Sequence, residues 1–278
     1  MASVTPPDSP LPALVAEAAG ESRGDVVLVP GFTGSREDFI SLVRPLADLG
    51  WRVAGVSLPG QGGTAALGDR GAHTEQSLAA AVLGFLDWFA PDRPVHVIGH
   101  SMGGLATRDL VVSHPERLAS WTAMSSGPSA IPEHAHRSLE GLQQALDLAP
   151  IELIWQQKEA GDRAAGWDPG SDEVAEFCRQ RFVTNDPAAM YDAAELLRHA
   201  PDRCAELAES GVPLGVIAGE TDDAWSAAVQ HDMAQRLGAL FVELPGLGHN
   251  PGVEDPDLTA SAIDEVCATA RDSSGGWV

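Results

Sequence analysis

The sequence predicts an α/β fold: a mostly parallel sheet flanked by helices and interrupted by an all-helical insertion. Two observations lead to this expectation. Short runs of Val, Ile and Leu alternate with helix-length amphipathic segments, which is typical of strands buried on both faces of a parallel sheet. Between residues 128 and 204 the alternation stops, and only helical periodicity remains. The 278 residues, 44% of them hydrophobic, suffice for one sizeable core carrying an insertion.

The predicted elements follow in chain order. Residues 1–22 are rich in Pro, Ser and Ala and are interpreted as an N-terminal arm, in which only 14–18 could form a short strand. The core is expected over 23–127 and 205–278, and the insertion, interpreted as a cap, over 128–204. Core strands are predicted at 26–29, 51–58, 95–98, 120–124, 214–219 and 240–244, and core helices at 36–49, 75–89, 102–113, 224–237 and 257–271.

Four helices are predicted within the insertion, and two of them carry clear start signals. Ser171 stands before Asp172 and Glu173, an N-cap residue followed by acidic first-turn residues. Asp186 stands before Pro187, whose fixed φ suits the first turn of a helix. The helical patterns cover residues 134–147, 150–160, 171–183 and 187–199.

The charge balance excludes several classes of partner. Forty acidic residues against seventeen basic ones give a formal net charge of −23, which repels nucleic acid and anionic lipid.

Because the sequence has neither a signal peptide pattern nor an apolar run of about 18 residues, we expect a cytoplasmic protein without membrane insertion. The three cysteines form no CxxC pair, and no cysteine or acidic ligand pattern accompanies His134 and His136, so no metal site is expected.

The strongest chemical motif is a Gly/Ser turn between a predicted strand and a predicted helix, Gly99-His100-Ser101-Met102-Gly103-Gly104. A serine on such a turn is held at positive φ, and small residues two positions away let strand and helix approach closely. Gly99 and Gly103 meet this demand. The helix N-terminus also offers the Met102 N–H and a dipole that favours negative charge. Ser101 is therefore the candidate nucleophile.

A second backbone donor is expected in the loop after the first core strand. Phe32 lies there between Gly31 and Gly34, and its N–H is the candidate partner of Met102 in an oxyanion hole. The alternative is a plain strand-to-helix loop with Ser35 as N-cap, and both interpretations can hold together.

A serine hydroxyl needs a base to take its proton, and the base needs an orienting carboxylate. His249 is the candidate base, because it lies in a Gly/Pro loop after the last strand, at the carboxyl edge of the sheet. His100 is assigned to packing or positioning. The other histidines fit no site in chain order: His73, His96, His114, His134, His136, His199 and His231.

The acid is expected in the loop after the strand at 214–219. Asp222 is the candidate, since one helix and one strand fit between it and His249 and return the histidine to the same sheet edge. Asp223 or Glu220 could instead orient the base, and Asp223 could simply cap the next helix.

With these residues in the order Ser, Asp, His, the chain resembles the α/β-hydrolase superfamily over residues 25–271. The resemblance implies an eight-stranded, mostly parallel sheet with a helical cap after the sixth strand. Pro30 and Gln61 stand where many members have histidine, and neither change removes a catalytic group. The short N-terminus leaves little chain for the usual first two strands, so whether the sheet begins one strand late stays open.

Because a serine rather than an aspartate holds the nucleophile position, the resemblance implies acyl chemistry. The expected protein is a serine hydrolase that cleaves a carboxylic ester, lactone or thioester through an acyl-enzyme on Ser101. It needs no cofactor and acts on a small-molecule, hydrophobic acyl substrate. The alternatives are a carbon–carbon bond hydrolase, lyase or acyltransferase with the same triad, or a low-turnover binding protein. Several apolar side chains of the insertion could line an acyl pocket but are more typical of packing: Trp155, Trp167, Phe177, Phe182 and Met190.

Overall fold

The computed structural model describes residues 1–6 and 11–273, with side chains described as far as residue 271. This part of the chain builds one eight-stranded sheet. Its strands are β1 (Ala2–Val4), β2 (Ala13–Ala16), β3 (Asp25–Val29), β4 (Arg52–Val56), β5 (Val95–His100), β6 (Leu118–Met124), β7 (Leu214–Gly219) and β8 (Leu240–Leu244).

The strands lie in the order β1-β2-β4-β3-β5-β6-β7-β8. All pairs from β4 to β8 are parallel, whereas β1 and β2 pair antiparallel at one edge. The predicted mostly parallel sheet is therefore confirmed. In such a sheet the loops that follow the strands meet at one edge, and this edge collects the candidate site residues.

Helices cover both faces of the sheet and fill the insertion. Two short 3₁₀ helices, Arg36–Phe39 and Pro115–Arg117, accompany them. The α-helices are α1 (Ile40–Asp48), α2 (Glu75–Phe89), α3 (Met102–Ser113), α4 (Glu133–Leu148), α5 (Ile151–Ala164), α6 (Asp172–Val183), α7 (Pro187–His199), α8 (Cys204–Ala208), α9 (Ala227–Leu237), α10 (Pro251–Glu254) and α11 (Pro256–Ser273). No helix among the described residues is both long enough and apolar enough to span a bilayer.

The interpretation of most of residues 1–22 as a loose arm needs correction, although the short strand expected at 14–18 is present as β2. β2 is largely buried and pairs with β4 from Ala13 opposite Val56 to Ala16 opposite Val53. β1 then adds an outer antiparallel strand of three residues, which are exposed or half-buried. A strand this short and this exposed carries no run of apolar residues, so the sequence gives no hydrophobic pattern by which to find it. The sheet therefore does not begin one strand late.

The core consists of two layers, one on each face of the sheet. Along β3, Val27 and Val29 pack into one layer, whereas Val26 and Leu28 pack into the other. This alternation follows from the two-residue period of a strand. Because both faces are covered by helices, the central strands read as continuous apolar runs.

The insertion has the four helices that the sequence predicts, α4 to α7. The Ser171 hydroxyl accepts the Val174 N–H at the start of α6, and the Asp186 carboxylate accepts the N–H groups of Ala188 and Ala189 at the start of α7. Both predicted N-caps are thus present.

Arg108, on α3, ties the insertion to the core. Its side chain is 1% exposed, and one nitrogen, Nη1, donates to the carbonyl oxygens of both Pro128 and Pro201, each at 2.9 Å. Its other terminal nitrogen donates to Glu75 on α2, which also pairs with Arg203. Pro128 and Pro201 lie where the chain enters and leaves the insertion. A single buried guanidinium therefore anchors both crossings to the helix that follows Ser101.

We expect Arg108→Met to lower the free energy of unfolding by about 3–5 kcal/mol, because the buried Glu75 carboxylate loses a buried partner and two carbonyls lose their donor. Urea unfolding measures the change. Arg44→Met is the matched control: Arg44 is 75% exposed in its pair with Asp48, so its loss should cost less than about 0.5 kcal/mol. Equal stability of the two variants would contradict the anchoring role.

His96, on the central strand β5, is neutral at physiological pH in the folded protein. Its side chain is 2% exposed, its Nδ1 lies 2.8 Å from the Ser120 hydroxyl, and its ring meets Trp51 edge-on. Burial, together with the positive charges of Arg271 and Arg23, lowers the pKa of His96 to about 4.

Folding stability is expected to fall as the pH drops from about 6.5 towards 4. In this window the unfolded chain protonates His96 while the folded chain does not, so protons favour unfolding, by up to about 3 kcal/mol for this group. Urea unfolding of the native sequence and of His96→Gln at several pH values measures the slope, which the variant should reduce by the contribution of this one group. His199→Gln, at a side chain 60% exposed, should keep it. Parallel slopes for His96→Gln and the native sequence would refute this linkage.

Candidate active site

The turn between β5 and α3 holds Ser101 in a strained backbone conformation, with φ 54° and ψ −123°. The turn is possible because its glycines lack Cβ atoms. A Cβ on Gly99 would lie 2.6 Å from the Gly103 carbonyl oxygen, and one on Gly103 would lie 2.4 Å from the Val29 carbonyl oxygen. A Cβ on Gly104 would lie 2.4 Å from a buried hydroxyl of the neighbouring strand end. The predicted strand–turn–helix motif is therefore present, with Ser101 at its apex.

The structure brings the three predicted side chains into one hydrogen-bonded chain. His249 Nε2 lies 3.0 Å from Ser101 Oγ, and His249 Nδ1 lies 3.0 Å from Asp222 Oδ1. An ionised carboxylate can only accept, which assigns the imidazole proton to Nδ1 and leaves Nε2 to accept from the serine hydroxyl. This is the geometry that a general base needs in order to deprotonate Ser101.

Asp222 is the carboxylate that contacts His249, and its surroundings keep it ionised. Burial alone would raise its pKa. The interaction with His249 and the N–H groups of Ala224 and Gln230 outweigh burial and lower the pKa of Asp222 below its usual value. The two alternative acids lie elsewhere: Asp223 is exposed, and Glu220 accepts the Gly246 N–H.

The two predicted backbone donors are unoccupied. Among the described residues, neither the Phe32 N–H nor the Met102 N–H has a hydrogen-bond acceptor in the protein. Gly31 brings the Phe32 loop against the serine, since a Cβ on Gly31 would lie 2.9 Å from Ser101 Cβ. Thr33, at φ 54°, turns the chain away again.

Gln61 has a role that the sequence does not reveal. Its side-chain amide donates to the Gly31 carbonyl at 2.8 Å, and its side-chain oxygen accepts the Leu58 N–H at 3.1 Å. The buried side chain thereby connects two loops and supports the segment that precedes Phe32. An amide side chain, which both donates and accepts, satisfies both loops.

His100 packs beside the candidate base. Its Nε2–H donates to the His249 carbonyl at 2.8 Å, and the two rings lie 5.3 Å apart. Burial, with the neighbouring His249, lowers the pKa of His100 to about 4, so the ring is neutral at pH 7. Its contact with the His249 main chain fits the positioning role assigned from the sequence.

A cleft of about 360 Å³ opens at Ser101. The core contributes Gly31, His100 and His249 to its walls, and the insertion contributes apolar residues such as Leu139 and Leu197. The apolar candidates of the insertion named from the sequence do not line it: Trp155, Phe182 and Met190 form a separate cluster inside the insertion, and Phe177 is 46% exposed. Packing is thus the role that the structure gives to Trp155 and Phe182.

A second cavity lies beside the backbone amides of Phe32 and Met102. Its lining includes Phe32, Met102, Leu78 and Met190, and it has room for about 20 Å³, the size of one water molecule. Of these two cavities, the cleft at Ser101 is the larger.

Two charged residues of the cleft were not found from the sequence. Arg181, on α6, and Asp38, in the 3₁₀ helix at 36–39, form an ion pair at its wall. No motif joins residues 143 positions apart, so only the fold could reveal them. Among the described residues, no group of three or more His, Cys, Asp or Glu side chains is arranged to hold a metal ion.

Comparison with known proteins gives the family of this fold and site. The model of the alpha/beta hydrolase family matches residues 26–262. A pimeloyl-[acyl-carrier protein] methyl ester esterase of Aromatoleum aromaticum is 29% identical over 88% of this chain and 98% of its own. A 2-hydroxy-6-oxononadienedioate/2-hydroxy-6-oxononatrienedioate hydrolase of Klebsiella pneumoniae is 28% identical over 45% of this chain and 43% of its own.

Solved structures show the same fold. The enol-lactonase of Burkholderia xenovorans LB400 superimposes with a TM-score of 0.75 at 21% identity, covering 93% of this chain and 96% of that one. The family match covers most of the chain, and the sheet order and helical layers agree with it. The chain belongs to the α/β-hydrolase family.

Proposed function

We propose that this protein is a serine hydrolase that cleaves a carboxylic ester, lactone or thioester through an acyl-enzyme on Ser101. One observation carries the proposal: Ser101 Oγ, on a strained turn, contacts the imidazole of His249, whose other nitrogen contacts the buried, ionised Asp222. This arrangement makes a weak nucleophile reactive at neutral pH.

The proposed reaction has two halves that use the same groups. His249 Nε2 takes the Ser101 proton as Oγ attacks the carbonyl carbon, and the N–H groups of Phe32 and Met102 donate to the oxyanion. The imidazolium then gives its proton to the leaving alcohol or thiol. Water attacks the acyl-enzyme by the same route, with His249 again as base, and releases the acid.

We also propose that residues 128–204 act as a cap that selects the substrate. The apolar side chains that this segment and the core turn into the cleft, Phe32, Ile131, Leu139 and Leu197, support a substrate with an apolar acyl body. The esterase relative from Aromatoleum aromaticum, matched over almost its whole length, supports ester cleavage.

Carbon–carbon bond hydrolysis by the same three side chains is the second candidate. The partial likeness to the Klebsiella pneumoniae hydrolase of a 2-hydroxy-6-oxo dioate supports it. Activity on an ester series but not on a vinylogous 1,5-diketone would decide for ester cleavage.

Ser101→Ala should abolish hydrolysis of p-nitrophenyl esters from acetate to palmitate, with a loss of about 10⁴-fold or more in kcat, because no other group forms the acyl-enzyme. Steady-state rates and covalent labelling by a fluorophosphonate, read by mass spectrometry, measure the effect. Ser113→Ala, at an exposed serine near the end of the same helix, is the matched control and should keep full activity. Labelling of a folded Ser101→Ala variant would rule out the proposed nucleophile.

Asp222→Asn should reduce kcat by about 10³–10⁴-fold, because an amide in that place no longer fixes the imidazole proton on Nδ1. Asp223→Asn, the neighbouring exposed carboxylate, should stay within about twofold of the native rate. Rates on p-nitrophenyl butyrate compare the two. The reverse ranking would assign the orienting acid to Asp223.

A further inference from the structure

The cleft at Ser101 has a charge pattern that the proposed ester chemistry does not use. Four titratable side chains line it: Asp38, His100, Arg181 and His249. His100 is buried and its pKa is lowered to about 4, so it carries no charge at pH 7. His249 is committed to Ser101 and Asp222. Arg181 is therefore the one permanent cation among the described residues of this lining.

Arg181 has hydrogen-bond donors to spare. Its guanidinium carries five N–H groups in a planar fork, and only Nη1 has a partner among the described residues, Asp38 Oδ1. The Arg181 side chain is 35% exposed, so its Nε and Nη2 do not count as buried polar atoms that lack a hydrogen-bond partner. Arg181, which carries these unused donors, lines the same cleft that is proposed to hold the apolar body of the substrate.

Asp38 does not satisfy the guanidinium because its carboxylate is engaged elsewhere. Its second oxygen, Oδ2, accepts the Ser35 N–H at 3.3 Å and packs so closely on Gly34 that a Cβ there would lie 2.4 Å from it. Burial raises the pKa of Asp38 in spite of the nearby Arg181. Asp38 thus contacts only one edge of the Arg181 guanidinium, and the other edge remains open to a second carboxylate.

The position of Arg181 is fixed before any ligand arrives. Arg181 lies in the last turn of α6, where the Asn185 side chain donates to the carbonyls of Arg181 and Phe182 and closes the helix end. Phe182, 5% exposed, packs against Trp155 with ring centres 5.4 Å apart. A cation on a rigid, packed helix end loses little conformational freedom on binding.

We propose that Arg181 binds a carboxylate of the substrate, so that the natural substrate is an ester, lactone or thioester that also bears a free carboxylate. This inference rests on the proposed function and adds a recognition group to it. A bidentate charge-assisted contact accounts for the unused guanidinium edge. The net charge of −23 repels anions at long range, so a carboxylate binds only where a local cation such as Arg181 receives it.

Two matched substrate pairs test the inference. The first puts the carboxylate on the acyl part, mono-p-nitrophenyl adipate against p-nitrophenyl hexanoate. The second puts it on the leaving group, 4-acetoxybenzoate against p-tolyl acetate. In at least one pair the native protein should favour the carboxylate ester in kcat/KM. Arg181→Met should lower that value about 10–100-fold, mainly through KM, and change the neutral ester by less than about threefold.

Two further variants sharpen the result. Arg181→Lys should recover only part of the preference, because an ammonium cannot bind a carboxylate with two parallel N–H donors. Arg179→Met is the matched control, since Arg179 lies on the same helix, pairs with Glu152 and Glu176, and is absent from the cleft lining. Arg179→Met should leave both substrates unchanged.

The inference is overturned if the native protein shows no preference in either pair. It is also overturned if Arg181→Met slows neutral and anionic esters alike, because Arg181 and Asp38 would then only join the insertion to the core. Calorimetric binding of the same esters to Ser101→Ala separates this failure from that of the proposed function. Carboxylate-selective binding that needs Arg181, without turnover by the native protein, would support the anchor and refute the hydrolase. Equal binding of both members of each pair would refute the anchor.

Discussion

The close approach of strand β5 and helix α3 is the constraint on which the candidate site depends. Gly99 lets the two elements meet at a distance that any Cβ would forbid, and Gly103 and Gly104 let the start of α3 approach the end of β3 and the residues after β6 equally closely. The same turn forces Ser101 to positive φ, raises its hydroxyl above the sheet edge and leaves the Met102 N–H without an acceptor. The candidate nucleophile and one candidate oxyanion donor are thus two results of one backbone geometry, and burial of the surrounding core sustains the strain.

The parallel sheet brings the other two candidate side chains, which lie on separate loops, to this turn. Asp222 follows β7 and His249 follows β8, so both lie at the carboxyl edge where β5 also ends. The chain separates Ser101 from His249 by 148 positions, yet their atoms lie 3.0 Å apart. Strand order, rather than local sequence, sets that distance.

Much of this could be predicted from the sequence, because strands, helices and the Gly/Ser turn leave local patterns. Ser101 and His249 stand in Gly-rich loops directly after apolar runs, and Asp222 has the right chain spacing. β1 escaped prediction because three exposed or half-buried residues at a sheet edge have no hydrophobic signature. The pairing of Arg181 with Asp38 escaped as well, because it depends on how the insertion lies over the core, which no local pattern specifies.

The contacts of Arg108 bear on how the insertion of such a protein can evolve. One nitrogen of Arg108 donates to the carbonyl oxygens of both Pro128 and Pro201, so the distance between these two oxygens cannot exceed the sum of the two hydrogen-bond lengths. A segment that leaves and rejoins the core at one place can be lengthened, shortened or exchanged while the turn at Ser101 stays still. The candidate site residues Ser101, Asp222 and His249 and the insertion therefore lie in parts of the chain that can change independently.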